Sequence, residues 1–248
     1  VKQPKASAQF LTRWSLHLVD SRELTTVRSV SIAASYRVRR GYRGILGTNT
    51  VVVEGIGMQL DPASGWCQDV RLCPSPNFNA RPTDEISLLV IHNISLPPAQ
   101  FATGKVQEFF QNRLDVTEHP YFEGIADLRV SAHFLIERDG TVTQFVSCLE
   151  RAWHAGVSSF EGRETCNDFS VGIELEGTDD LPFTDAQYEA LIALTRQLQS
   201  AFTAITPQRI CGHSDIAPGR KTDPGPAFDW TRYRSALAKA APEKEEKQ

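Results

Sequence analysis

Five ionisable side chains crowd into the middle of one turn-rich stretch, RICGHSDIAPGRKTDPGPAFDW, where His213, Asp215, Arg220, Lys221 and Asp223 stand among Pro218, Gly219, Pro224 and Gly225. Turns ask only for residues such as Asn, Gly and Pro, whereas loops commonly carry binding and catalysis, so this density points to a site. His92 is the second candidate. It closes the apolar run LLVIHN just before Ser-Leu-Pro-Pro, and in open α/β sheets functional groups gather where strands stop. Two histidines and a carboxylate would supply three protein ligands and leave a fourth position for water, which is how a catalytic zinc site is built. Residue types alone leave a rival reading open: a rigid Asp-Pro-Gly turn beside a surface His213, with His92 an ordinary core or loop histidine.

Two further groups extend the list of candidates. Glu174 and Glu176 lie two apart in VGIELEG, so on a strand they share one face while Ile173 and Leu175 take the other. Paired acids on an exposed strand face are most often simply solvated; beside a metal, one of them could accept a proton from the attacking water. Trp153-His154-Ala155-Gly156 joins an aromatic plate to a polar ring, a pair suited to stacking on a sugar, or else a core tryptophan next to a turn.

The elements that must position these groups follow from periodicity. SLLVIHNI (87–94) is a continuous apolar run between RPTDE and SLPP, which predicts a strand buried on both faces. VSAHFLIERDGTVTQFV (130–146) predicts a hairpin around Asp139-Gly140. SVGIELEG (170–177) predicts another strand, and helices are expected over 104–114, 184–202 and 228–240. In the second helix Thr184 and Gln187 make a capping box, with Tyr188, Leu191, Ile192, Leu198 and Phe202 on one face. Strands mixed with helices, one hairpin included, give the fold class: α/β, a single domain with a mixed central β-sheet covered by helices.

Composition limits the function classes. The 248 residues are 41% hydrophobic and 23% charged, an ordinary globular balance. No apolar run approaches the roughly 18 residues of a membrane helix, and the opening 24 residues lack a signal-peptide core, so neither membrane insertion nor secretion is expected. Cys67, Cys73, Cys148, Cys166 and Cys211 are odd in number and form no C-x-x-C pair, which fits a reducing cytoplasm better than a disulfide framework. Residues 1–57 hold nine basic and three acidic groups, net +6, so the overall −4 leaves −10 on the rest. An acidic body argues against a nucleic-acid partner. Composition shifts at Met58, the sole methionine. We therefore expect residues 1–57 to be an N-terminal extension, disordered or an artefact of start assignment, 58–240 to be the working domain, and 241–248 a charged tail.

VIHNISLPP, HPYF, LRVSAHFLIERDG, RAWHAGVSSFEGRETCNDFSVGIELEGTD and GHSDIAPGRKTDPG, collinear between about Met58 and Arg234, resemble the AmpD-type 1,6-anhydro-N-acetylmuramoyl-L-alanine amidases. These belong to the zinc amidase family that includes phage-lysozyme-type amidases and peptidoglycan recognition proteins. The resemblance implies their fold, a Zn2+ cofactor held by His92, His213 and Asp223, and catalysis by Glu174 and Lys221. It implies hydrolysis of the amide joining anhydro-N-acetylmuramic acid to L-alanine in a small muropeptide, for cell-wall recycling, by a cytoplasmic monomer. Asn93, Arg129, Trp153 and His154 are the candidate substrate contacts, Arg129 for a stem-peptide carboxylate because its planar fork pairs bidentately. Secreted relatives often carry cysteine as third ligand, where this chain has Asp223. Two departures from the family pattern stand out: Gly219 where an acid commonly precedes Arg-Lys-Thr-Asp-Pro-Gly, and the presence of residues 1–57. The rival functions are a secreted or phage-type peptidoglycan amidase, which predicts an export signal or a wall-binding module, and a non-catalytic peptidoglycan-binding module, which predicts a lost ligand.

Overall fold

Two long strands, both without a charged residue in their first four positions, set the architecture. The computed structural model describes residues 57–239; the expectations for the N-terminal extension (Gly57 apart) and for the charged tail lie outside the described residues. The first half runs β1 (Gln59–Asp61), β2 (Trp66–Gln68), β3 (Arg71–Leu72), β4 (Phe78–Asn79), β5 (Leu88–Ile94), α1 (Lys105–Phe110), α2 (Pro120–Glu123), β6 (Phe134–Ile136) and β7 (Val142–Gln144). The second half runs β8 (Arg151–Ala152), β9 (Ser159–Phe160), β10 (Arg163–Glu164), β11 (Ser170–Glu176), α3 (Asp185–Ala201), β12 (Ile210–Gly212), α4 (His213–Ile216) and α5 (Trp230–Ala238). Six strands form one sheet in the order β12-β5-β11-β6-β7-β3. The first four of that order run parallel, β7 returns antiparallel to β6 as the expected hairpin, and β3 joins β7 in parallel. The sheet is mixed, as the sequence predicts.

β5 and β11 occupy the middle of the parallel part and are covered on both faces, hence their near-continuous apolar character. Strand alternation then divides their work. Leu89 and Ile91 of β5 and Val171, Ile173 and Leu175 of β11 enter the core formed with Tyr188, Leu191, Leu194 and Leu198 of α3 and Tyr233 of α5. Leu88, Val90 and His92, with Ser170, Gly172, Glu174 and Glu176, take the opposite face. α3 begins where expected: the Thr184 hydroxyl accepts from the Gln187 amide at 3.1 Å and the Gln187 side chain accepts from the Thr184 amide, closing the capping box.

α1 is shorter than expected. It stops at Phe110 because Asn112 turns into the left-handed region (φ 58°), with Asn112 N–H donating to Phe109 O and Arg113 N–H to Glu108 O. This is a Schellman closure with Asn in the place glycine usually takes. Among the described residues no helix is long and apolar enough to cross a membrane.

Candidate metal centre and active-site cavity

Three parallel strands, β12, β5 and β11, run side by side toward one edge of the molecule, and their register decides which side chains meet there. Glu174 pairs with His92 across β11 and β5; Gly212 pairs with Ile91 across β12 and β5, so His213, the next residue and the first of α4, arrives beside His92. The site therefore lies at the carboxyl ends of adjacent parallel strands, where α/β sheets place their ligands. Asp223 is delivered by the loop after α4. Its carbonyl accepts from the Ser214 amide at 2.9 Å, and Pro224 packs so tightly on Gly212 that a Cβ there would lie 2.7 Å from Pro224 Cδ. Only glycine permits that approach.

The result is a triangle of donors. His92 Nδ1, His213 Nδ1 and Asp223 Oδ2 lie 3.0 Å from one another on all three sides. His92 and His213 are 1% and 3% exposed. His213 Nε2 is 3.0 Å from the Ala155 carbonyl, which can only accept, so Nε2 carries a proton and Nδ1 is the nitrogen turned to the triangle. That nitrogen lies 3.0 Å from a carboxylate oxygen, a contact that a shared proton or a cation would bridge, and the three residues form a group able to hold a metal ion. Burial drives the His92 pKa down to about 4 even though Asp223 beside it pulls the other way, so His92 is neutral at physiological pH. Burial alone would raise the Asp223 carboxyl; the two imidazole nitrogens 3.0 Å from its Oδ2 outweigh that and hold it below the ordinary carboxylate range.

Glu174 is 8% exposed, and its Oε2 is buried without any hydrogen-bond partner. Burial, reinforced by the Asp223 charge, raises its pKa well above the ordinary value, with Lys221 opposing. An orphaned, proton-hungry carboxylate beside a triangle of metal donors is a group waiting for something to bind. The expectation of a solvated acidic face on this strand is overturned: Glu174 and Glu176 are both buried. Glu176 is fully occupied, its two oxygens accepting from the amides of Ala102 at 2.6 Å and Arg138 at 3.2 Å. It fastens the loop after β5 to the β6–β7 turn.

A cavity of about 510 Å³ opens over these groups. His92, Asn93, Trp153, His154, Glu174, His213, Lys221 and Asp223 all line it, so eight of the nine residues given a role in metal binding, catalysis or substrate contact come together, whereas Asp215, Arg220 and Glu176 do not line it. Asn93 is held by its Nδ2 donating to Asp179 Oδ1 at 2.7 Å, and the Trp153 indole N–H donates to Asn79 Oδ1 at 2.6 Å. Arg129 is the one not brought in. It is exposed, and its Nη1 donates to the carbonyls of Ala126 and Leu128 in its own loop. Tyr121, Ile125, Leu128 and Asp179 line the cavity without having been singled out, because nothing local distinguishes an aromatic or aliphatic wall residue from core.

The profile of the N-acetylmuramoyl-L-alanine amidase family matches residues 82–226, more than half of the chain and all of the donor triangle. The chain belongs to this family. The amidase is 55% identical over 176 residues to the 1,6-anhydro-N-acetylmuramyl-L-alanine amidase AmpD of Escherichia coli (strain K12), a match covering 71% of this chain and 96% of that protein. Its identity to AmpD of Salmonella typhimurium (strain SL1344) is 56% over 178 residues, 71% of this chain and 95% of that one. A crystal structure of a selenomethionine AmpD derivative matches the amidase with a TM-score of 0.70 at 55% identity, covering 73% of this chain and 99% of the other. The mixed sheet covered by helices is thus the fold of an amidase of this family.

Proposed function

We propose that this amidase is a zinc enzyme that hydrolyses the amide between anhydro-N-acetylmuramic acid and L-alanine in small muropeptides, in the service of cell-wall recycling. The observation that carries this reading is the 3.0 Å triangle of His92, His213 and Asp223 at the floor of a cavity that also holds the unpartnered Glu174 carboxylate. The triangle fits zinc: nitrogen and oxygen ligands about 2.0–2.1 Å from a tetrahedral centre stand about 3.3 Å apart. Zinc held there supplies a Lewis acid that acidifies water and polarises a carbonyl. The likeness to AmpD over nearly the whole of that protein supports the choice of amide.

The chain's own residues do the rest. Glu174, kept basic by burial, takes the proton from the attacking water and passes it to the departing nitrogen. Lys221 lines the same cavity, and its charge is felt at both Glu174 and His92. It stabilises the oxyanion that develops on the carbonyl. Trp153 and Asn93 contact the substrate from the cavity wall, each pre-set by its own hydrogen bond, with His154 beside them. Arg129 sits on the exposed loop after α2 and takes the stem-peptide carboxylate. The cysteines among the described residues are all free, four of the five being buried, which supports a reducing, cytoplasmic workplace. We take the working form to be the monomer.

The test is to incubate the purified protein with anhydro-muropeptides and, separately, with intact sacculi, each with and without a chelator, and to measure released peptide. The expected outcome is rapid, chelator-sensitive release from muropeptides and little from sacculi. Equal rates on both would favour a lytic wall amidase, and turnover unaffected by stringent chelation would overturn the zinc assignment.

A further inference from the structure

A single dipeptide faces the outward nitrogens of both histidines in the donor triangle. The Ala155 carbonyl lies 3.0 Å from His213 Nε2, and His154 Nδ1 lies 3.0 Å from His92 Nε2. Both backbone amides of this dipeptide are pinned by one side chain, Asn167, whose Oδ1 accepts from His154 N–H at 3.2 Å and Ala155 N–H at 2.8 Å. The His154 ring is braced by several neighbours. His154 Nε2 is 3.1 Å from Ser170 Oγ, the ring meets His92 edge-on at 86°, and it meets His133 at 71°. Beneath it the strand carries Gly172, where a Cβ would come within 2.5 Å of His154 Cγ and Nδ1. Ser170, Gly172 and Glu174 lie on one face of β11, so the strand that presents Glu174 to the cavity also forms the floor on which His154 rests.

The hydrogen-bond chain from His92 through His154 to Ser170 has two self-consistent directions. With a proton on His92 Nδ1, the chain runs inward: Ser170 O–H donates to His154 Nε2 and His154 Nδ1–H donates to His92 Nε2. With His92 Nδ1 bare, the chain runs outward: His92 Nε2–H donates to His154 Nδ1 and His154 Nε2–H donates to Ser170 Oγ. A serine hydroxyl serves either direction, because it both donates and accepts. Only the outward direction leaves His92 Nδ1 free to bind a cation. The geometry points to His154 as a positioning residue for the metal: as acceptor for His92 Nε2–H, it selects the tautomer and ring orientation in which the Nδ1 lone pair joins those of His213 and Asp223. Metal-binding histidines usually find such a partner in a carboxylate, a backbone carbonyl or water; here His213 has the carbonyl, and a neutral imidazole does this for His92. Both ring nitrogens of His154 are thereby committed inside the protein, although its edge lines the cavity.

This inference rests on the zinc reading, and the experiment keeps the two apart. Zinc affinity is measured by competition with a chromogenic chelator for the wild type, His154→Phe, His154→Asn and Ser170→Ala, with the thermal midpoint of each chelated protein as the folding control. Asparagine can set an amide oxygen where Nδ1 stood, whereas phenylalanine fills the space without an acceptor. We expect affinity to fall about 10–100-fold in His154→Phe, the usual loss when a ligand's orienting partner is removed. It should return to within a few-fold of wild type in His154→Asn and fall only a few-fold in Ser170→Ala. Equal affinities across all four, with the wild type binding tightly, would overturn the role of His154 alone. A loss as large in His154→Asn as in His154→Phe would also overturn it, since bulk and not an acceptor would then be what matters. A wild type that takes up no zinc would overturn the zinc reading and this inference with it. If His154→Phe does not fold, Gly172→Ala, which presses on the ring from below, is expected to reproduce its loss of affinity; unchanged affinity there would count against the proposal.

Discussion

Glu174 and Glu176 stand on the same strand, on the same face, one pleat apart, and the protein treats them in opposite ways. Glu176 has both oxygens filled by backbone amides from two different loops. Glu174 has a buried oxygen with nothing to accept from, and its pKa is pushed up. The same contrast separates two buried histidines. His133 accepts from the Gly172 amide at Nδ1 and gives its Nε2 proton to the Glu150 carbonyl, so it has nothing left to offer; His92 keeps one nitrogen turned toward two other donors. Residue type and burial do not distinguish structure from chemistry here. What distinguishes them is whether the polar atoms are already spoken for, since an unsatisfied buried group is costly; Glu174 is the one carboxylate among the few buried polar atoms left without a partner in the described residues.

The largest test of that contrast is Glu174→Gln, which should cost about 10²–10⁴ in turnover while leaving the thermal midpoint and bound zinc unchanged. Near-normal turnover in a steady-state assay would break the comparison at its centre. Lys221→Ala comes next, at about 10²–10³ in kcat, again without loss of metal; an effect confined to KM would move Lys221 from oxyanion stabilisation to ground-state binding. Glu176→Gln should do the reverse of Glu174→Gln. Turnover should stay within a few-fold, but stability should fall by about 1.5–3 kcal/mol, because one of two amides now meets an amide donor in place of a charged acceptor. Urea denaturation of the chelated protein reads this directly, and an unchanged midpoint would show that those two hydrogen bonds are dispensable.

The last effect, small within any one pH unit, concerns His133 and acid. Burial holds it neutral, with a pKa down at about 3 against an ordinary 6.5, so below pH 6.5 the unfolded chain binds a proton that the folded chain refuses. Stability therefore falls as pH drops from about 6.5 toward 3, and His133→Gln should flatten that decline by up to about 1.4 kcal/mol per pH unit. His92 and His154, displaced in the same direction by burial, should keep part of the slope in the variant. Parallel acid profiles for wild type and variant would show that His133 is not held neutral.

Much of this was legible in the chain itself, for identifiable reasons. β5 and β11 announce themselves because a strand covered on both faces must be apolar throughout, and α3 because Thr184 and Gln187 spell out its cap. The turn-rich density around His213 and Asp223 marked the loop, although types and spacing alone could not say that His213 was buried. The end of α1 was not legible, since Asn112 closes the helix in a conformation for which glycine is the usual signal. Nor were the partners of the site. Arg81 comes within 3.2 Å of His133 and bonds four backbone carbonyls far away in sequence, Asn79 holds Trp153, and Asp179 holds Asn93; each is a tertiary contact with no periodic trace. Ser170 and Gly172 were hidden in plain view, on the same alternation that led to Glu174 and Glu176.

Because the centre is assembled by strand pairing, its assembly is all or none. A slip of one residue between β11 and β5 would turn Ile173 or Leu175 toward the cavity in place of Glu174, and the same slip at β12 would carry His213 away from His92. A mispaired molecule would not be a slow amidase; it would have no centre at all. Specific activity after refolding would then count correctly paired molecules, and it would do so more sharply than helix content, which a slipped sheet would leave almost intact.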